Sequence, residues 1–102
     1  MISAPNDEVR WAGLMAAAHR GDGQAYETLL TELGDAIQRY IERRFGSLVF
    51  IEDCVQECLL AIHAGRHTWD PKRPFRPWVF TIVRNRTIDL LRSAYDSPRA
   101  AR

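Results

Sequence analysis

The sequence predicts an all-α fold, a compact bundle of about four helices, and three observations carry the prediction. Every extended apolar pattern recurs at three and four residues, the spacing of one helix face, and none alternates as a half-buried strand does. No segment repeats at a longer fixed period. The composition, 46% hydrophobic and 26% charged with six Gly and five Pro, is that of a folded chain, and 102 residues suit one core rather than two.

The elements follow in order. Asn6 can cap a first helix over about 7–19, with Asp7 and Glu8 favouring its positive end and Gly21 and Gly23 around Asp22 ending it. Tyr26, Leu29, Leu30, Leu33, Ile37, Tyr40 and Ile41 form the stripe of a second helix, roughly 24–45, which Gly46 stops. Ile51, Val55, Cys58, Leu59 and Ile62 form a third, about 51–66, whose start gains from Glu52 and Asp53. From Gly65 to Pro77 the run GRHTWDPKRPFRP is a stiff basic loop in which Trp69 and Phe75 alternate with cations. Pro77 suits the first position of a fourth helix, about 77–93, because its missing N–H has no partner there anyway. Along that helix Val79, Val83 and Leu90 share one direction, while Trp78, Ile82, Asn85 and Asp89 share another. The expected organisation is an N-terminal helix and connection over 1–21, the main domain over 22–93, and a tail or linker over 94–102.

Several classes are excluded. The longest uncharged apolar stretch, Trp11 to Ala18, falls short of the ~18 residues of a membrane span, so no membrane insertion is expected. MISAPNDEVR is acidic where a secretory leader is basic, which makes the cytoplasm the expected location. No phosphate loop, GxSxG, HExxH or dinucleotide turn occurs, and Glu52 and Asp53 point about 100° apart on a helix, so no enzyme is expected. Cys54 and Cys58 fall about 40° apart, but His63 and His67 lie about 180° and 220° from Cys54 on a continuous helix. The four cannot surround one ion, and neither a metal nor another cofactor is expected.

Charge is distributed unevenly. Residues 1–60 carry ten acids and five bases, whereas 61–102 carry three acids and nine bases, within a net charge of +1. Thirteen of the fourteen bases are Arg, whose planar donor fork suits phosphates and base edges. On the third helix Asp53, Gln56, Glu57 and Leu60 fall opposite the Val55 stripe, an acidic outward face with one apolar residue that suits a cationic partner helix. A helical interaction module with no DNA role, its two charged halves merely pairing internally, is the competing reading.

Two segments carry a family resemblance. DCVQECLLAIH, Asp53 to His63, is similar to the D-x-x-Q-E-x-[FL] helix of region 2 of extracytoplasmic-function sigma factors of bacterial RNA polymerase. FRPWVFTIVRNRTIDLLR, Phe75 to Arg92, resembles the W-[LV]-[FY]-x-I-x-R-N-x-x-[IL]-D-x-x-R helix of the same family, in the same order and across a loop of suitable length. The resemblance implies a promoter-recognition domain in which Asp53, Gln56, Glu57 and Leu60 bind the clamp helices of the largest subunit of core RNA polymerase. It implies that Gly65, Trp69, Lys72, Arg76, Trp78, Ile82, Arg84, Asn85 and Arg86 meet the non-template strand of the promoter minus-ten element. Within that set Trp69 is expected to wall, and Asn85 to read, a base flipped from the stack, while Lys72, Arg76, Arg84 and Arg86 neutralise phosphates. An anti-sigma factor covering both surfaces is implied as a further partner. The family's second domain, a helix-turn-helix for the minus-thirty-five element, has no counterpart in the sequence, so the chain reads as one region of a longer protein. Cys58, His63 and the proline-rich loop depart from the family's usual residues.

Overall fold

Leu29, Leu33, Ile37 and Ile41 are each fully buried, so the second stripe read from the sequence is the backbone of the core. A computed structural model describes residues 4–96, with side chains from Asp7 to Ala94. It contains four helices: α1 (Ala4–His19), α2 (Gly23–Phe45), α3 (Ile51–Ala64) and α4 (Phe75–Asp96), with a single 3₁₀ turn at Arg66–Thr68. The fold is all-α, as the spacing predicts, and the described residues contain no strand.

The helix that begins with weak local signals is capped well. Asp22 takes extended backbone and its carboxylate accepts the Ala25 N–H at 3.0 Å, while Gly21, at φ +100°, supplies the left-handed turn before it. Gly46, at φ +82°, ends α2 and donates its N–H to the Glu42 carbonyl at 3.0 Å. Glu52 and Asp53 lie in the first turn of α3, where the helix dipole favours them.

Two expected starts are corrected. α1 opens at Ala4, which places Asn6 inside the helix rather than at its cap. α4 opens at Phe75, two residues before Pro77, because Glu8 of α1 caps it: its carboxylate accepts the N–H groups of Phe75 at 2.6 Å and Arg76 at 2.9 Å. Pro77 still falls in the first turn, whose N–H groups have no partner within the helix, so its ring costs nothing there. At the other end α3 stops at Ala64 rather than 66, and α4 runs to Asp96, so residues 94–96 are helical and not tail. Residues 97–102 of the expected tail lie outside the described residues.

All four helices meet in one core. Trp11 and Met15 of α1 join Leu29, Leu33, Ile37 and Ile41 of α2, Cys54, Val55, Cys58 and Ile62 of α3, and Phe75, Val79 and Val83 of α4. Phe75, fully buried, is the hub of the aromatic packing. Trp69 and Trp11 meet it edge-on, at 5.3 and 6.3 Å between ring centroids, and Trp78 lies tilted against it at 5.4 Å.

Thr87, the one buried polar side chain among the described residues, sits against the two thiols, with Sγ of Cys54 and Cys58 3.7 and 3.6 Å from its Oγ1. Burial pushes the Cys58 thiol up to about 11, partly opposed by its contact with Thr87. His63 instead bonds the Tyr26 hydroxyl through Nδ1 at 2.7 Å, and His67 stacks on His19 at 6.0 Å, so cysteines and histidines have separate neighbours. Among the described residues no three His, Cys, Asp or Glu side chains group as metal ligands. None of the described helices is long and apolar enough to cross a membrane.

Candidate functional site

The outward face of α3 forms as the spacing requires. Asp53 and Gln56 are exposed, and Leu60, in the same row, leaves 62% of its surface in water. Between this row and α4 lies a groove of about 240 Å³, bordered by Asp53 and Glu57 and floored by Phe50, Cys54, Leu90 and Ala94. Carboxylates over an apolar floor suit a cationic side chain, whose alkyl stem packs while its charged head pairs at the rim.

Glu57 differs from its neighbours. Its carboxylate accepts a hydrogen bond from the Arg86 guanidinium at 2.7 Å, and the two side chains remain 42% and 38% exposed. A residue expected to dock a protein thus pairs with one expected to hold a phosphate.

On α4 the residues from Trp78 onward form a graded face. Trp78 and Ile82 are half-buried, and Asn85, one turn further, is exposed beside exposed Arg84. The Trp78 ring is fixed by its indole N–H, which donates to Thr68 Oγ1 at 3.0 Å, while the Thr68 hydroxyl donates to the Gly65 carbonyl at 2.7 Å. The 3₁₀ turn is thereby tied to α4, and half-buried Gly65 stands beside this junction. The sequence gives no sign of the Thr68 bridge, since a Thr in a loop is unremarkable without its partner ten residues on.

Two expected site residues are placed differently. Trp69 is only 4% exposed, wedged against Phe75 with its indole N–H donating to the Arg73 carbonyl at 3.1 Å. It is a core residue that anchors the loop, not an open wall on which a base can stack. Arg76 lies over the rings of Trp11 and Phe80, at 5.1 and 5.0 Å, and pairs with Asp7 at 3.6 Å. Its guanidinium is engaged with α1 in the free chain. Lys72, by contrast, is exposed on the loop, and Arg66 turns back to donate to the His63 carbonyl at 2.7 Å.

Comparison with known proteins shows the family. Residues 29–96, two thirds of the chain, match the family model described as Sigma-70 region 2. The chain is 40% identical over 83 residues to the ECF RNA polymerase sigma factor SigF of Caulobacter vibrioides, covering 80% of this chain and 46% of that protein. It is 31% identical over 90 residues to the ECF RNA polymerase sigma factor RpoE of Cereibacter sphaeroides, covering 85% and 49%. It is also 31% identical over 94 residues to BldN, an ECF sigma factor of Streptomyces coelicolor, covering 90% and 35%. The chain therefore spans about half the length, or less, of the curated relatives it matches. No solved structure gives a significant match. Both helices that carry the resemblance lie within the matched segment, and together with these identities they show that the chain belongs to the Sigma-70 region 2 family, among the extracytoplasmic-function sigma factors.

Proposed function

We propose that the chain is a promoter-recognition module that acts with core RNA polymerase, docking through the outer face of α3 and capturing the single-stranded minus-ten element along α4. It contributes binding energy to DNA opening and performs no covalent chemistry. The observation that carries this reading is the juxtaposition of two chemically distinct faces on adjacent helices. Asp53, Gln56 and Leu60 present an acidic and apolar row, and Trp78, Ile82, Asn85 and Arg84 present a ring, an aliphatic edge, an amide and a cation.

On the α3 side, the row and its groove suit basic helices of the polymerase's largest subunit, because Asp53 offers an exposed carboxylate and Leu60 an apolar anchor beside it. On the α4 side, a flipped base needs a flat apolar wall and a group that reads its edge. Trp78 and Ile82 supply the wall, with Trp69 supporting the loop from below. The Asn85 amide supplies one acceptor and two donors. Lys72 and Arg84, both exposed, are the cations best placed to neutralise phosphates. An anti-sigma factor that covers both faces is the natural repressor of such a module. The competing reading, a helical module with no DNA role, loses its ground in the family match, since internal charge pairing alone does not account for it.

The docking half is tested with Asp53→Arg and Leu60→Ala combined. Both residues are exposed, so helical circular dichroism stays unchanged while affinity for core polymerase falls by about 2–4 kcal/mol, the size of a lost anchor plus a reversed charge. Undiminished binding by that variant rejects α3 as the docking face.

A further inference from the structure

The ion pair between Glu57 and Arg86 joins α3 to α4 at the seam between the two proposed faces. We infer that this pair is an exchange latch: in the free chain each charge occupies the other, and engagement of either face releases the partner charge for the second face. The inference rests on the proposed docking and DNA-binding roles and adds to them a coupling between the two.

The geometry favours exchange over a fixed structural bond. Each side chain keeps about two fifths of its surface in solvent, so an incoming cation or phosphate reaches it without disturbing the core. Carboxylate and guanidinium meet through one short contact at 2.7 Å, from one terminal nitrogen of Arg86 to one oxygen of Glu57, rather than through a two-pronged clamp. The groove that suits a cationic side chain is bordered by Glu57 itself, so its occupant competes directly with Arg86. Arg86 also stands near Asp89, and its proton is held more tightly than usual, chiefly through the hydrogen bond to Glu57. A guanidinium bonded to a carboxylate is a poorer phosphate ligand than one released from it. The converse holds for Glu57, whose charge is partly cancelled toward any basic helix while Arg86 is bonded to it.

Exchange makes the two binding events mutually favourable, and linkage requires the same factor in both directions. An exposed pair sets its size at about two- to fivefold. In the absence of polymerase, Glu57→Gln therefore tightens binding of a mixed-sequence fluorescent single-stranded oligonucleotide by that factor. Glu52→Gln, which removes the same charge from an exposed position one residue from the docking row, is the control for net charge. In the absence of DNA, Arg86→Gln tightens binding to core polymerase by the same factor, with Arg84→Gln as its control. Each gain disappears when the other partner is already substituted.

The measurement is a double-variant cycle at fixed salt on the full chain, read by fluorescence anisotropy in both arms. Gains confined to Glu57 and Arg86 and cancelling in the double variant establish the latch. Equal effects from the controls, or gains that persist in the double variant, overturn it while leaving the proposed function intact. A wild-type chain that binds neither the oligonucleotide in the first arm nor core polymerase in the second overturns both.

Discussion

Glu8 closes the N-terminus of the helix that begins at Phe75: a carboxylate in the second turn of α1 accepts the Phe75 N–H at 2.6 Å across 67 residues of sequence. The same carboxylate takes the Arg76 N–H, so the two N–H groups that lie between Pro74 and Pro77 at the start of α4 are both satisfied from another helix. α1 therefore sets where the candidate DNA-binding helix begins, and through Phe75 it sets how Trp69 and Trp78 pack.

Removing this cap destabilises the fold as a whole. Glu8→Ala costs about 1–2 kcal/mol, the upper range for a lost side-chain cap, because both bonds are charge-assisted and half-buried. Urea denaturation followed by helical circular dichroism reads the loss. An unshifted midpoint rejects the capping role.

Acid acts on a second link between α1 and α2. Glu32 of α2 accepts from the Arg10 guanidinium and from the Trp11 indole N–H, at 2.9 and 3.1 Å, and the bond to Arg10 holds its carboxyl below the usual range. A depressed folded value means stability that is present above the unfolded value of about 4.3 and is lost as pH falls through the folded one. The stability difference between wild type and Glu32→Gln is therefore constant from neutral pH down to about 5 and shrinks below that. Denaturation midpoints of the two proteins measured across pH 3–7 check the sign; a difference that grows on acidification contradicts it.

The buried thiols are inert while the fold holds. With Cys58 pushed up to about 11 and fully enclosed beside Thr87, its thiolate is scarce and out of reach. The shift alone lowers the thiolate fraction at pH 8 by about 100-fold relative to an unshifted cysteine. Alkylation by iodoacetamide then proceeds only through unfolding and accelerates in proportion to the unfolded population. Labelling of the native chain at the rate of a free thiol contradicts the packing of α3 on α4.

What the sequence made legible was whatever acts over short range. The stripe from Leu29 to Ile41 and the exposed row of Asp53, Gln56 and Leu60 both follow from 3.6-residue spacing. What it did not show is set by distant contacts. Local signals placed helix starts at Asn6 and Pro77, but Glu8 moved the second by two residues, and no local pattern announces a cap supplied from 67 positions away. Trp69, set among cations, looks like a stacking platform, yet its ring fills the space beside Phe75 because a buried Trp with a bonded N–H is worth more to a small core than an exposed one. Arg76 and Arg86 are legible as cations but not as engaged ones, since their partners Asp7 and Glu57 lie on other helices.

The most direct test of the central claim is base preference at Asn85. Holoenzyme assembled from core polymerase and the protein is offered pre-melted promoter templates carrying each of the four bases at every minus-ten position, at fixed salt. Wild type prefers one base at the position Asn85 reads, and Asn85→Ala, exposed and thus neutral to folding, flattens that preference by about 1–3 kcal/mol at that position alone. Trp69→Ala differs in kind: it opens the core beside Phe75 and lowers stability by about 3–5 kcal/mol before any base is discriminated. An Asn85→Ala protein that loses affinity equally for every sequence, or keeps the wild-type ranking at every position, contradicts promoter reading by this face of α4.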